Sequence, residues 1–285
     1  MEEHKPHFSR LNETSEIFTY LVQGKSQTRV GTIFIENEYS STVHYKEVVR
    51  KNKRFVTYQE EDFQQTCTGL VFQLTARLNR ILSNYEVRLN ENYEVEEIVN
   101  HPAILAKWKL EKNELKEQFK VIPDSEELFD QYEQVLQEEE KLRQMLFYTG
   151  FPPLFFPRIK HLLNAIDASK KYERKKVLAE NSLGLELPIV EELCIEKINQ
   201  KQFVATIKGT LDVDAIPDEK EFLFIFQSLC GEDKTLTDLL FKSKAYYVFD
   251  AFRSYQTAAI KEHFEVKGMC FKKEEYSFIK KGKHE

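Results

Sequence analysis

Carboxylates are the most concentrated group in this sequence that could do chemistry, and they cluster in the second half of the chain. Asp212 and Asp214 are followed by Asp218, Glu219 and Glu221. Carboxylates at positions i and i+2 of a strand share one face, an arrangement that could bind Ca²⁺ or Mg²⁺. The spacing of a calcium-binding loop and its turn glycine are absent, and strand alternation places both aspartates on the solvent face. We therefore predict an exposed acidic face that binds no metal.

Histidines and cysteines do not predict a second site. The seven histidines lie near the chain ends, on polar faces of predicted strands, off an apolar stripe or at a helix start. Each is interpreted as a solvated side chain. The cysteines form no C-x-x-C pair and are too few and too scattered for a disulfide framework. This content of cysteines favours a protein of the reducing cytoplasm. The four cysteines are Cys67, Cys194, Cys230 and Cys270.

Glycine-rich phosphate-binding loops are missing. Such loops need glycines close together so that backbone N–H groups can approach the phosphate, but the nearest pair is Gly24 and Gly31. This excludes a P-loop and a Rossmann fingerprint, and the hydrolase, zinc-protease and kinase signatures are absent too. We predict no cofactor. An enzyme whose acidic residues assemble only in space stays open as an alternative.

The charge of the chain argues against nucleic acid as a partner. The formal net charge is −6 at pH 7 and the isoelectric point is about 5.8, whereas nucleic-acid-binding domains are usually basic. One basic run, residues 170–176, is diluted by Glu173 and is interpreted as a charged, exposed connector.

The strongest functional candidate is an aromatic segment in the middle of the chain, residues 147–156. Pro152 and Pro153 stiffen it, and large aromatic side chains dominate many protein interfaces. We therefore predict that the segment either binds a partner or joins two domains. The predicted partner-binding residues are Phe147, Phe151, Phe155 and Phe156.

The N-terminal part predicts an antiparallel meander, a helix and a hairpin. Runs of β-branched and aromatic residues over 15–58 are separated by Gly24, Asn37 and Ser40-Ser41, which are interpreted as turns. Apolar residues at spacings of three and four over 67–82 then predict a helix that crosses the sheet, followed by a hairpin around Asn90-Glu91-Asn92.

Two long helices are predicted next. Asn100 and Pro102 mark the start of the first, whose apolar face is expected to bury Trp108. The second follows a heptad-like stripe in which Glu139 replaces an apolar residue. A short connection should pair them as an antiparallel helical hairpin over residues 101–149.

The second half predicts strands again. Two alternating runs follow the charged connector, and three strand-like runs follow Ala245. Between them, Asp218 and Gly231 bracket an apolar run that we interpret as a helix. No run approaches the roughly 20 apolar residues of a membrane helix, and the first thirty residues contain no apolar stretch typical of a signal peptide.

These observations predict an α+β protein with antiparallel sheets in both halves and a central long helical hairpin. The predicted domains are 1–150 and 151–285. The leading functional hypothesis is a non-enzymatic, cytoplasmic protein-interaction module: an adaptor, a chaperone-like protein or an inhibitor component with another protein as its partner. The alternatives are a binding module for an apolar small molecule in a Phe-lined pocket and the enzyme with an assembled acidic site.

Overall fold

The computed structural model describes residues 17–148, 150–164, 171–178, 183, 185–199, 201–252 and 254–281. The described strands form one antiparallel sheet of 11 strands in the order β5-β4-β3-β2-β1-β11-β10-β9-β8-β7-β6. The strands are β1 (Ile17–Val30), β2 (Ile33–Arg50), β3 (Lys53–Gln65), β4 (Asn84–Leu89), β5 (Val95–Ile98), β6 (Lys171–Leu178), β7 (Leu187–Asn199), β8 (Gln202–Leu211), β9 (Leu239–Asp250), β10 (Tyr255–Val266) and β11 (Cys270–Lys280).

Six α-helices and three short 3₁₀ helices accompany the sheet in the described part of the chain. The α-helices are α1 (Leu70–Ile81), α2 (His101–Phe119), α3 (Ser125–Gln137), α4 (Glu139–Tyr148), α5 (Pro152–Phe155) and α6 (Glu219–Cys230). The 3₁₀ helices are Lys160–Asn164, Val213–Ala215 and Leu236–Asp238. No described helix is long and apolar enough to cross a membrane.

The predicted fold class is wrong, because one sheet replaces the expected sheets in the two halves. The first strand pairs with the last, β1 with β11, in a register that runs from Tyr20↔Lys280 to Val30↔Cys270. Alternation along a strand shows which face is buried, but it does not identify the neighbouring strand. The division of the chain at residue 150 stays a prediction.

The predicted long helical hairpin is also wrong. The backbone at Glu138 is extended, with φ −96° and ψ 101°, so the expected second arm consists of the separate helices α3 and α4. Glu139, which replaces an apolar residue in the predicted stripe, has a specific hydrogen-bonding role. Its carboxylate accepts a hydrogen bond of 2.9 Å from the backbone N–H of Ile98, at the end of edge strand β5.

Turns in the N-terminal meander lie elsewhere than predicted. Gly24, Asn37 and Ser40-Ser41 are inside strands. The chain reverses at residues 31–32 and 51–52, and φ is positive at Gly31, Lys51 and Asn52, as two-residue hairpin turns require. Gly24 is instead needed for close packing, because a Cβ there would be 2.1 Å from a ring carbon of Tyr39.

The predicted charged connector is also wrong in the part that the structure describes, because residues 171–178 form edge strand β6; Lys170 lies outside the described residues. Two basic side chains of β6 pair with an acid on the neighbouring strand. Arg174 and Lys176 form ion pairs of 2.5 and 2.6 Å with the buried carboxylate of Glu191 on β7. Charged residues along a short edge strand also discourage pairing with another chain.

Several local predictions are confirmed. Helix α1, the β4–β5 hairpin and strands β7, β8, β10 and β11 lie close to where the periodicities indicate, whereas β9 begins at Leu239, before the predicted start at about Ala245. Helix α6 begins after Asp218, whose side chain accepts a hydrogen bond from the backbone N–H of Glu221. Trp108 on α2 is 1% exposed and contacts Phe129 and Tyr132 of α3, with ring centroids 6.2 and 5.1 Å apart.

The sheet is strongly curved. Strands β2 and β10 are three positions apart, which is about 14 Å in a flat sheet. Nevertheless, the ring centroids of Tyr45 on β2 and Tyr255 on β10 are only 5.9 Å apart. Residues of both edge strands, β5 and β6, line one cleft of about 610 Å³. The main core therefore lies on the inner face of a curled sheet, and α6 covers a second, smaller core formed with β7, β9 and β10.

Candidate ligand cleft

The four predicted partner-binding phenylalanines lie in the main core. Phe151, Phe155 and Phe156 are 4%, 1% and 8% exposed, and Phe147 is partly buried against the same cluster. Phe147 and Phe156 contact each other, with ring centroids 4.8 Å apart. Their burial leaves little of their surface for another molecule. The partner-binding role of these residues stays a prediction.

Phe155 is at the centre of this aromatic cluster. Its ring stacks on Phe278 of β11 at 4.6 Å and on Tyr45 of β2 at 5.7 Å. Edge contacts with Tyr20 and Tyr58 extend the cluster to β1 and β3. The residues of α4 and α5 thus fill the inner face of the sheet as an insert, and Pro152 and Pro153 restrict its backbone at the start of α5.

Beside this insert, an open cleft of about 1350 Å³ separates the sheet from the helices. It is bounded by the ends of β2 and β3, by α1, and by the junction of α4 and α5. Ligand pockets commonly measure about 300–1000 Å³, so the cleft has room for a small organic molecule. Its aromatic lining comprises Tyr39, Tyr58, Phe63, Phe72, Phe119, Phe151 and Tyr276.

A bulge in β3 shapes the floor of the cleft. The pairing with β2 shifts register between Ser40 and Thr42, so that two residues, Asp62 and Phe63, lie opposite Ser41. Asp62 has φ +56°, a left-handed conformation that aspartate adopts more readily than most non-glycine residues. The extra residue brings Phe63 onto the inner face, where its ring stacks on Tyr39 with centroids 6.4 Å apart. Bulges of this kind redirect side chains and are frequent at functional sites.

The wall formed by α1 is anchored to the sheet through Asn37. This residue is 6% exposed. Its side-chain oxygen accepts hydrogen bonds from the backbone N–H of Cys67 at 3.0 Å and from the hydroxyl of Thr66 at 3.3 Å. Gln65 donates to the backbone carbonyl of Phe72 at 3.0 Å. These bonds set the position of α1 over the end of β3.

Glu60 is the most enclosed acid of the cleft. The hydroxyl of Tyr58 donates to its carboxylate over a long 3.5 Å, and burial raises the pKa of Glu60. The basic side chains on the helix side are mostly engaged: Arg77 forms an ion pair of 3.1 Å with Glu114, and Lys107 donates to the backbone carbonyl of Arg80. Carboxylates and aromatic rings of the sheet thus share the floor of the cleft, and basic side chains lie on its helix side.

A second charged cluster lies outside the cleft, and its members pair with one another. Lys160 is 6% exposed and forms an ion pair of 2.7 Å with Glu47, while its ammonium lies 4.3 Å from the ring centroid of Tyr255. Burial alone would raise the pKa of Glu47, but Lys160 and Arg54 outweigh that effect and lower the pKa to about 2. Each charge in this group has a partner, as a buried ion pair requires.

A third polar group lies on the inner face between the two cores. Glu191 has two basic partners, which outweigh burial and lower its pKa. Glu262 on β10 has no hydrogen-bond or ion-pair partner in the part of the chain that the structure describes. Burial raises the pKa of Glu262, and the nearby Lys176 only partly opposes this effect.

The acidic cluster from Asp212 is not arranged as expected. Strand β8 ends at Leu211, so Asp212 and Asp214 lie beyond it, around the short 3₁₀ helix. The expected shared strand face is therefore wrong for these two residues. Asp212 forms an ion pair of 3.2 Å with Lys175. Among the described residues, no group of three or more His, Cys, Asp or Glu side chains could hold a metal ion.

The cleft residues on β3 are not among those predicted from the sequence. The signal was present as the run QEEDFQQ over residues 59–65, which ends the regular alternation of β3 with two consecutive inward residues.

The class that the fold and site define is a curled, antiparallel-sheet protein with an open, aromatic-lined cleft. No family model matches this chain, and no curated protein is significantly similar to it.

Proposed function

We propose that this chain is a binding module for a small molecule with an apolar body, which it holds in the cleft between β2, β3, α1 and the α4–α5 junction. One observation carries the proposal: the β3 bulge places Phe63, 37% exposed, on Tyr39 at the floor of a cleft of about 1350 Å³. An aromatic surface that stays exposed at a β-bulge, inside a cleft, supports a role in binding rather than in packing.

Binding of a neutral, apolar fluorophore tests this proposal. N-phenyl-1-naphthylamine fluoresces strongly only when it leaves water, and we expect the wild-type protein to enhance its emission in a saturable way. Phe63→Ala removes part of the floor and is expected to weaken binding about tenfold, equivalent to roughly 1.4 kcal/mol. Phe72→Ala, on the opposite wall, is expected to weaken it in the same direction.

The matched control is Phe252→Ala. Phe252 is 90% exposed in the β9–β10 connection and does not line the cleft. It should leave the affinity for the fluorophore unchanged. Equal affinities for all four proteins, or the absence of saturable binding to the wild type, would contradict the proposed function.

The protein-interaction hypothesis and the hypothesis of an assembled acidic enzyme have fewer supporting observations. The protein-interaction hypothesis depended on the aromatic segment 147–156, most of whose phenylalanines are buried. The hypothesis of an assembled acidic enzyme retains Glu60 and Asp62, which both line the cleft. The small-molecule hypothesis is favoured because it uses both the volume of the cleft and its exposed aromatic floor.

A further inference from the structure

The acidic side chains that line the cleft differ in the hydrogen-bond and ion-pair partners that they have. Asp62 is exposed and has no hydrogen-bond or ion-pair partner among the described residues. Among the described residues, the side-chain partners of Glu60 are neutral hydroxyls: Tyr58 at a long 3.5 Å, and Ser41. The third acid of the lining, Glu61, faces the other side of the sheet, where it lies 3.4 Å from the imidazole of His44.

The basic residues of the lining are placed differently. Arg77 contacts Glu111 and Glu114 at 3.8 and 3.1 Å. Lys107 is bonded to a helix carbonyl, and the exposed guanidinium of Arg80 is left at the rim. The carboxylates on the floor of the cleft therefore lack a basic partner among the described residues, whereas the basic side chains lie on the helix side, where Arg77 is paired with acids and Lys107 is bonded to a neutral carbonyl.

Aromatic faces adjoin this negative floor. Tyr39 and Phe63 stack with an interplanar angle of 25°, and both line the cleft together with Glu60 and Asp62. The faces of aromatic rings attract cations, and the attraction grows when the cation is partly desolvated. Carboxylates and ring faces together form an environment that suits an organic ammonium group better than an anion.

We propose that the ligand of this cleft is an amphipathic organic cation, whose charged nitrogen is held by Glu60 and Asp62 and whose apolar body lies against Tyr39, Phe63 and Phe72. This inference rests on the proposed function and specifies its ligand class. The curled sheet supplies the carboxylates and two of the rings, and α1 supplies the covering wall.

Competition among three ten-carbon molecules tests the inference. Decylammonium, decanol and decanoate share an apolar body and differ in the charge of one end. Each is used at neutral pH, below its micelle-forming concentration, to displace N-phenyl-1-naphthylamine from the wild-type protein. We expect decylammonium to displace the fluorophore at a concentration at least about fivefold lower than decanol, and decanoate to be the weakest.

Two charge-neutralising variants locate the effect. Glu60→Gln and Asp62→Asn keep the shape of the side chain, and Asn tolerates the positive φ at position 62. Both should reduce the advantage of decylammonium over decanol while leaving the affinity for decanol unchanged. Glu275→Gln is the control, because Glu275 is exposed on β11, pairs with Lys261 and lies outside the cleft.

The outcomes separate the two proposals. If the fluorophore binds but decylammonium and decanol displace it equally, or both floor variants keep the full preference, the cation inference is wrong and the binding function stands. A preference for decanoate would assign the ligand contact to Arg80 and overturn the inference. If the fluorophore does not bind to folded wild-type protein, both proposals fail together. Circular dichroism confirms that each variant is folded before its affinities are compared.

Discussion

Removing the ring of Phe155 is expected to destabilise the whole fold. Phe155 is 1% exposed and contacts rings on β1, β2, β3, β10 and β11, so it links strands from both parts of the chain. Truncation of a buried phenylalanine to alanine typically costs about 3–5 kcal/mol, through lost burial and the cavity left behind. The rings packed around it leave little freedom to refill the cavity, so we expect about 4 kcal/mol for Phe155→Ala.

The measurement is urea denaturation at neutral pH, followed by far-ultraviolet circular dichroism and by the fluorescence of Trp108, the single tryptophan. Because total stabilities are about 5–15 kcal/mol, the loss should shift the midpoint clearly. Phe252→Ala is the matched control, since Phe252 is 90% exposed and surface changes usually stay within about 0.5 kcal/mol.

A loss of less than about 1 kcal/mol for Phe155→Ala would refute the packing argument. It would mean that the ring is accessible in solution, which would return the aromatic segment 147–156 to the role of a partner-binding surface. Phe155→Asp sharpens the distinction, because a buried, unpaired carboxylate costs more than the cavity alone.

Two further perturbations test other parts of the structure. Trp108 is buried against Phe129 and Tyr132, so its emission should be blue-shifted in the native protein and Trp108→Ala should cost about 3–5 kcal/mol; an emission maximum typical of exposed indole would contradict this. Glu262→Gln should raise the free energy of unfolding at pH 7 by about 1 kcal/mol. Because burial raises the pKa of Glu262, its ionised form opposes folding as the pH rises above the ordinary value, so the variant and the wild type should converge near pH 4. Equal stabilities at pH 7, with Glu275→Gln as the exposed control, would show that the Glu262 carboxylate is already solvated.

Much of the local structure could be predicted from the sequence. The spacings of three and four in α1, the alternation in β7 and β8, and the Asp218 cap of α6 are each determined by neighbours within a few residues. Burial of Trp108 follows in the same way, because the stripe of α2 that carries it also carries Ile104 and Leu115. These signals are short-range, and so they survive without knowledge of the partner elements.

The candidate site could not be predicted in this way. Gly24 is predicted to be in a turn. It lies inside β1 instead, where the ring of Tyr39 packs over it and leaves no room for a side chain. The four phenylalanines of segment 147–156 are predicted to bind a partner or to join two domains, and the curled sheet covers most of them. In both cases the deciding contact comes from a residue far along the chain.

The sequence by itself determined the apolar faces of α1 and α2, the alternation in β7 and β8, and the start of α6. Only the tertiary structure decided that β1 pairs with β11, that one sheet curls around Phe155, and that the bulge at Asp62 exposes Phe63 in a cleft. The physical reason is that periodicity records the faces of an element, whereas strand order and curvature depend on the packing of faces that are distant in sequence.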